Sequence, residues 1–175
     1  MTAKGKNNWK EWIIDAAIAL VIVVIIASFF RVTTVQQTSM TPSIQPGDCL
    51  LISRQAYHFS QFKRGDIVVF SSQGKGCDTK SRLLVKRVIG VPGDIITVSK
   101  GRVWLNGSKV KESYIASGET QGAVHNVIVP RNQLFVMGDH RSVSMDSRTF
   151  GCIRQDCVKG KAVARLFPFT TAGVL

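Results

Sequence analysis

Trp12-Ile13-Ile14-Asp15-Ala16-Ala17-Ile18-Ala19-Leu20-Val21-Ile22-Val23-Val24-Ile25-Ile26-Ala27-Ser28-Phe29-Phe30 is the stretch that divides this chain. As an α-helix rising ~1.5 Å per residue it spans the ~30 Å hydrocarbon core of a bilayer, and it can cross once. A cleavable secretory leader usually has an apolar core of only ~7–15 residues followed by a small-x-small site, so the length argues for a retained anchor. Lys4, Lys6 and Lys10 precede the run, and only Arg31 follows it closely. That bias puts the N-terminus in the cytoplasm and everything beyond Arg31 outside. Asp15 lies near the start of the span, at headgroup depth, and reads as an interfacial residue. The expected organisation is a cytoplasmic N-terminus (1–11), a transmembrane anchor (12–30) and one extracytoplasmic domain (31–175).

The outer segment reads as mostly β. Short runs rich in Val, Ile, Leu and Phe cover 49–53, 66–71, 83–89, 94–99, 102–105, 133–137 and 162–167. Pro46-Gly47-Asp48, Arg64-Gly65-Asp66, Pro92-Gly93-Asp94 and Asn106-Gly107 separate them with turn residues, and 102–110 has the pattern of a tight hairpin. Residues 72–81 and 117–126 read as loops. The expected fold is a single transmembrane helix followed by a β-sheet or barrel-like domain of a size that holds its own core.

The chain has 23 Lys and Arg against 11 Asp and Glu, a formal net charge of +12, of which the segment from Arg31 onward carries +11. Such a charge suits nucleic acid or anionic lipid. The basic residues are scattered, no nucleic-acid motif is present and the domain lies outside the cytoplasm, so lipid headgroups beside the anchor are the expected partner, with a merely solvated basic surface as the alternative. Cys49, Cys77, Cys152 and Cys157 all fall in the exported part, where disulfides are permitted, and four cysteines allow three complete pairings. Cys152 and Cys157 have no histidines at zinc-finger spacing, so no metal site is expected.

Ser39, in Gln37-Thr38-Ser39-Met40-Thr41-Pro42-Ser43-Ile44, lies about nine residues beyond the apolar run. A hydrolytic serine needs a base, and His58, His125 and His140 are the only histidines, with no Gly-x-Ser-x-Gly elbow around Ser39. The other solution is an unprotonated lysine held where its charge is disfavoured. Lys86 is a candidate: in Leu83-Leu84-Val85-Lys86-Arg87-Val88-Ile89 read as a strand, Leu84, Lys86 and Val88 share one face. Poising its amine near neutrality needs about 4 kcal/mol of destabilisation of the ammonium. A snorkelling or ion-paired lysine gives the same pattern.

Four ordered blocks add to this reading. Ser39-Met40-Thr41-Pro42-Ser43-Ile44, Arg64-Gly65-Asp66-Ile67-Val68-Val69-Phe70, Lys86-Arg87-Val88-Ile89-Gly90-Val91-Pro92-Gly93-Asp94, and the segment from Met137-Gly138-Asp139-His140-Arg141 to Ser144-Met145-Asp146-Ser147-Arg148 closely resemble the motifs of bacterial type I signal peptidases. The resemblance implies a Ser/Lys serine protease that removes signal peptides from exported preproteins at the outer face of the cytoplasmic membrane, with no cofactor. Ser39 matches the nucleophile, Lys86 the general base and Ser144 the serine that orients the lysine amine. Asp146 and Arg148 match an ion pair bracing the region, and Asp139 and Arg141 belong to the same motif and read as structural support.

The same resemblance makes the Ser39 backbone N–H one oxyanion donor. Gln37 stands where some relatives carry a hydroxyl residue as the second. His140 replaces an asparagine common in the motif and is expected to play a local polar role. Val35, Met40, Ile44, Leu83, Leu84 and Val85 are candidate walls of shallow pockets that would accept small side chains of an extended peptide. A Ser/Lys peptidase with another substrate and a non-enzymatic basic β module are the rival readings.

Overall fold

The structure, a computed structural model, describes residues 9–71, 83–115 and 120–175. α1 (Trp9–Phe29) is long and apolar enough to cross a membrane, and none of its residues is buried against the rest of the protein. Its bounds differ from the apolar run at both ends. Trp9, Lys10 and Glu11 supply a polar first turn, and Phe30 opens a strand instead of closing the span. The reason is local: Val32, Thr33 and Thr34 are β-branched and favour extended backbone, and Phe30 already pairs with Ser53.

In chain order the strands are β1 (Phe30–Thr34), β2 (Cys49–Ser53), β3 (Ile67–Ser71), β4 (Leu83–Gly90), β5 (Ile95–Ser99), β6 (Arg102–Leu105), β7 (Ser108–Lys109), β8 (Val124–Ile128), β9 (Gln133–Met137), β10 (Ile153–Arg154), β11 (Val158–Phe167) and β12 (Gly173–Val174). Among the described residues they form two antiparallel sheets. The larger runs β1-β2-β11-β3-β4-β9-β10, with β12 beside β11, and the smaller runs β7-β6-β5-β8. The short helices α2 (Ala56–Phe59) and α3 (Ser147–Phe150) lie between strands.

β3 is buried along its whole length, so its sequence shows no polar alternation. Its two faces feed different cores. Ile67 and Val69 pack with Val35, Met40, Ile44, Leu50 and Ile52, while Val68 and Phe70 pack with Val88, Leu134, Val136 and Ile153. A third core, including Ile96, Val98, Val103 and Phe135, joins the smaller sheet to the larger.

The turn signals have a common construction. In Gln45–Asp48, Lys63–Asp66 and Val91–Asp94 the first carbonyl accepts from the aspartate N–H (3.0–3.1 Å), and the aspartate carboxylate accepts from the first residue's N–H (2.9–3.0 Å). Gly47, Gly65 and Gly93 take φ near +90°, which a side chain would resist. Each buried carboxylate is then paired, with Arg165, Lys161 and Arg64 respectively. The hairpin at Asn106-Gly107 forms as expected, with both residues at positive φ.

One expectation is corrected, and one question the sequence leaves open is narrowed. Residues 124–126, read as loop, begin β8, a strand at the end of the smaller sheet with mostly exposed side chains and therefore a weak apolar signature. Cys49 and Cys152 are free thiols, which rules out every complete pairing of the four cysteines. Cys157 is disulfide-bonded. Cys77 and the expected loop at 72–81 lie outside the described residues.

Candidate active site

β1 ends at Thr34, and the chain then leaves the sheet through residues 35–48 before returning as β2. Two hydrogen bonds at the ends of this excursion hold it: Val35 N–H donates to Asp48 O (2.9 Å) and Gly47 N–H to Val35 O (2.8 Å). Met40 and Ile44 anchor its middle in the core, 1 % and 0 % exposed. Ser39 is thereby held, half-exposed, between two buried attachments.

β4 delivers the second residue. The Lys86 side chain is 1 % exposed, and its Nζ lies 2.6 Å from Ser39 Oγ and 3.2 Å from Val85 O. No carboxylate pairs with it among the described residues. Burial pushes its pKa from 10.5 down to about 8; Asp146 opposes this at longer range, Arg148 adds to it, and Asp139 opposes it. In the ammonium form Nζ donates to Ser39 Oγ. Once neutral, it presents a lone pair that can accept the Ser39 hydroxyl hydrogen.

The neighbouring residue is treated in the opposite way. Arg87 forms a two-pronged ion pair with buried Asp139 (2.9 and 2.7 Å), donates to Gly65 O (3.1 Å) and stacks on the Tyr114 ring. Adjacent basic residues of one strand thus have distinct fates, one neutralised by a carboxylate and one left without.

The loop after β9 closes the site. Asp146 is fully buried and accepts from Gly138 N–H (3.0 Å) and from Arg148 Nε and Nη2 (both 2.8 Å). Burial alone would raise its pKa, but the Arg148 and Gly138 hydrogen bonds hold it below the usual carboxylate value. Arg141 binds the Glu112 carboxylate, Thr120 Oγ1 (2.8 Å) and Gly138 O (3.0 Å). Ser144 Oγ is buried with no hydrogen-bond partner, and lies where it also favours the ionised Asp146 without meeting hydrogen-bond geometry. It sits close against Gly138, where an added Cβ would lie 2.3 Å from Ser144 Oγ and 2.4 Å from Ser39 O.

A groove of about 270 Å³ opens beside Ser39, lined by Thr33, Val35, Gln37, Met40, Val69, Leu83 and Val85 among others. Two expected wall residues lie elsewhere. Ile44 is core, and Leu84 packs on the opposite side of β4 with Val68 and Phe70. β4 pairs with β3 from Leu83 onward, whereas its pairing with β9 starts only at Arg87. The other edge of Leu83–Val85 is consequently unpaired by β9.

Sequence reasoning brought Ser39, Lys86, Ser144, Asp139, Arg141, Asp146 and Arg148 to attention, and the fold gathers them. It missed Arg87, Glu112, Thr41 and Gly138. The available signal for Arg87 was its position beside Lys86, with no means of telling which of the two would find a carboxylate.

Residues 9–167 match the family described as signal peptidase, peptidase S26. The chain belongs to this family of serine endopeptidases. Signal peptidase I of Bacillus licheniformis is 35 % identical over 94 % of this chain and 91 % of its own length. Signal peptidase I T of Bacillus subtilis (strain 168) is 33 % identical over 96 % and 91 %, and signal peptidase IB of Staphylococcus aureus (strain Mu50 / ATCC 700699) 32 % over 94 % and 93 %. A crystal structure of a signal peptidase I from Enterococcus faecalis V583 covers 58 % of this chain and 97 % of its own, with a TM-score of 0.50 and 27 % identity.

Proposed function

We propose that the protein is a membrane-anchored Ser/Lys endopeptidase that cleaves signal peptides from exported preproteins at the outer face of the cytoplasmic membrane. The observation that carries this reading is the 2.6 Å contact between Ser39 Oγ and the amine of a 1 % exposed lysine with no carboxylate partner among the described residues. Neutral Lys86 takes the Ser39 proton as Oγ attacks the scissile carbonyl, and the Ser39 N–H steadies the oxyanion. The lysine then returns the proton to the leaving amine. In the second half it deprotonates the water that releases the acyl group. Ser144, whose buried hydroxyl makes no hydrogen bond among the described residues, steadies the amine between these steps.

An extended preprotein segment adds to the open edge of Leu83–Val85, with main-chain hydrogen bonds supplying affinity. The groove walls Val35, Met40, Leu83 and Val85 leave space for small side chains near the cleaved bond. Lys10 and the lysines before it hold the N-terminus in the cytoplasm. Exposed Arg31 and Arg54 flank the outer end of α1, where Arg54 N–H donates to Phe29 O (2.9 Å), and meet lipid phosphates there. The anchor confines enzyme and substrate to one thin layer, raising their effective concentration.

The test is cleavage of a model preprotein by wild type, Ser39→Ala and Lys86→Ala, with product termini mapped. Both variants should stay folded and lose activity by orders of magnitude. Near-normal cleavage by either excludes the dyad, and cleavage within the mature sequence excludes the substrate class.

A further inference from the structure

His140 contacts the nucleophile loop twice. Its backbone N–H donates to Ser39 O (3.1 Å), and its ring Nδ1 lies 2.9 Å from Thr41 Oγ1. Thr41 Oγ1 is also 2.9 Å from Thr38 O. A carbonyl can only accept, so the single hydroxyl hydrogen of Thr41 goes to Thr38 O. The ring contact must then be an Nδ1–H donating to Thr41 Oγ1. Thr41 N–H donates to the same Thr38 carbonyl (3.1 Å), giving that oxygen two donors from one residue.

The Thr38 carbonyl belongs to the peptide unit that carries the Ser39 N–H. This unit is trans, since the cis bonds among the described residues lie at Thr41-Pro42 and Phe167-Pro168. In a trans unit the C=O and N–H point in opposite directions, so fixing one aims the other. Two donors on the carbonyl also polarise the amide and make its N–H a stronger donor. On the far side, His140 O accepts from Ser144 N–H (3.0 Å), tying the same residue to the loop that bears Ser144.

We infer that His140 is a positioning residue for the oxyanion site, acting through Thr41 and Thr38 O to aim the Ser39 N–H. It makes no hydrogen bond to Lys86. The inference rests on the Ser39/Lys86 reading and adds a residue that carries no proton in the reaction.

The test compares His140→Asn with His140→Asp in the full-length protein, using a model preprotein and following kcat and KM separately. Asparagine keeps a donor near the Nδ1 position; aspartate has the same size and offers only acceptors. His140→Asn should hold kcat near wild type, and His140→Asp should lower it ~10- to 100-fold with KM within about twofold, since an aimed oxyanion donor acts in the transition state. In a Thr41→Val background the same replacement should change kcat less than about twofold. Nitrogen-15 shifts of the neutral ring should show Nδ1 protonated. Equal kcat for the two variants, losses that multiply with Thr41→Val, or an unprotonated Nδ1 would each overturn the inference. Ser39→Ala and Lys86→Ala in the same assay separate the two levels: if they cleave normally, both readings fall, whereas inactive dyad variants beside a fully active His140→Asp sink only the relay.

Discussion

Replacing Lys86 with methionine should destroy activity and at the same time stabilise the protein at neutral pH. The amine is 1 % exposed, and burial holds it at about 8 instead of 10.5. At about 1.4 kcal/mol per pKa unit, the folded state carries a penalty on the order of 3 kcal/mol whenever both folded and unfolded chains are protonated. The sign follows from the depressed folded pKa. The penalty is complete below about pH 8, fades as pH rises toward 10.5 and is absent above it. Methionine fills a similar volume without the charge, but gives up the hydrogen bonds to Ser39 Oγ and Val85 O, each worth about 1 kcal/mol. A net gain of roughly 1–2 kcal/mol at pH 7 remains, or about 5 °C in Tm for a domain of this size. The assay is thermal unfolding of the full-length protein in detergent between pH 6.5 and 10, alongside preprotein cleavage. A Lys86→Met variant that melts at or below wild type at pH 7, or a gap that does not shrink with rising pH, refutes the reasoning.

Other replacements give separable outcomes. Gly138→Ala should reduce cleavage at least about tenfold, because its Cβ would meet Ser39 O and Ser144 Oγ well inside van der Waals contact; wild-type kcat in a preprotein assay contradicts that packing. Ser144→Ala removes a buried hydroxyl with no hydrogen bond among the described residues, so unfolding should show stability within about 1 kcal/mol of wild type while kcat falls, a split that a purely structural serine would not give. Asp139→Ala strands the Arg87 guanidinium and should lower stability by about 3 kcal/mol in denaturant titration. Asp146, whose pKa is depressed, adds stability above the ordinary aspartate range that is lost on acidification, and Asp146→Asn should flatten the acid limb of a Tm-versus-pH curve.

The legible parts of the fold were those where local chemistry and tertiary context agree. β2 and β6 have the expected bounds, and Asn106-Gly107 turns the hairpin through its own positive-φ preference. β1 was hidden because Phe30 extends the apolar run of the helix, and only pairing with β2 marks where the helix gives way to strand. β8 was hidden because an outer strand with exposed His125 and Asn126 has little apolar pattern.

The site divides in the same way. Ser39 and Lys86 were readable as candidates from their surroundings and from the family motifs. What no spacing reveals is that Asp139 goes to Arg87, so that the next residue along β4 is left to reach Ser39. The role of Thr41 was equally silent, since it depends on a histidine ninety-nine positions away.

The central claim is that Lys86 is the base for Ser39, and the pH dependence of kcat/KM for preprotein cleavage tests it most directly, because that ratio reports groups of the free enzyme. The acidic limb should fall to half its plateau near pH 8, the value to which burial pushes the lysine. A limb centred near ~6.5, the ordinary histidine range, or near ~10.4, an ordinary lysine, would contradict it.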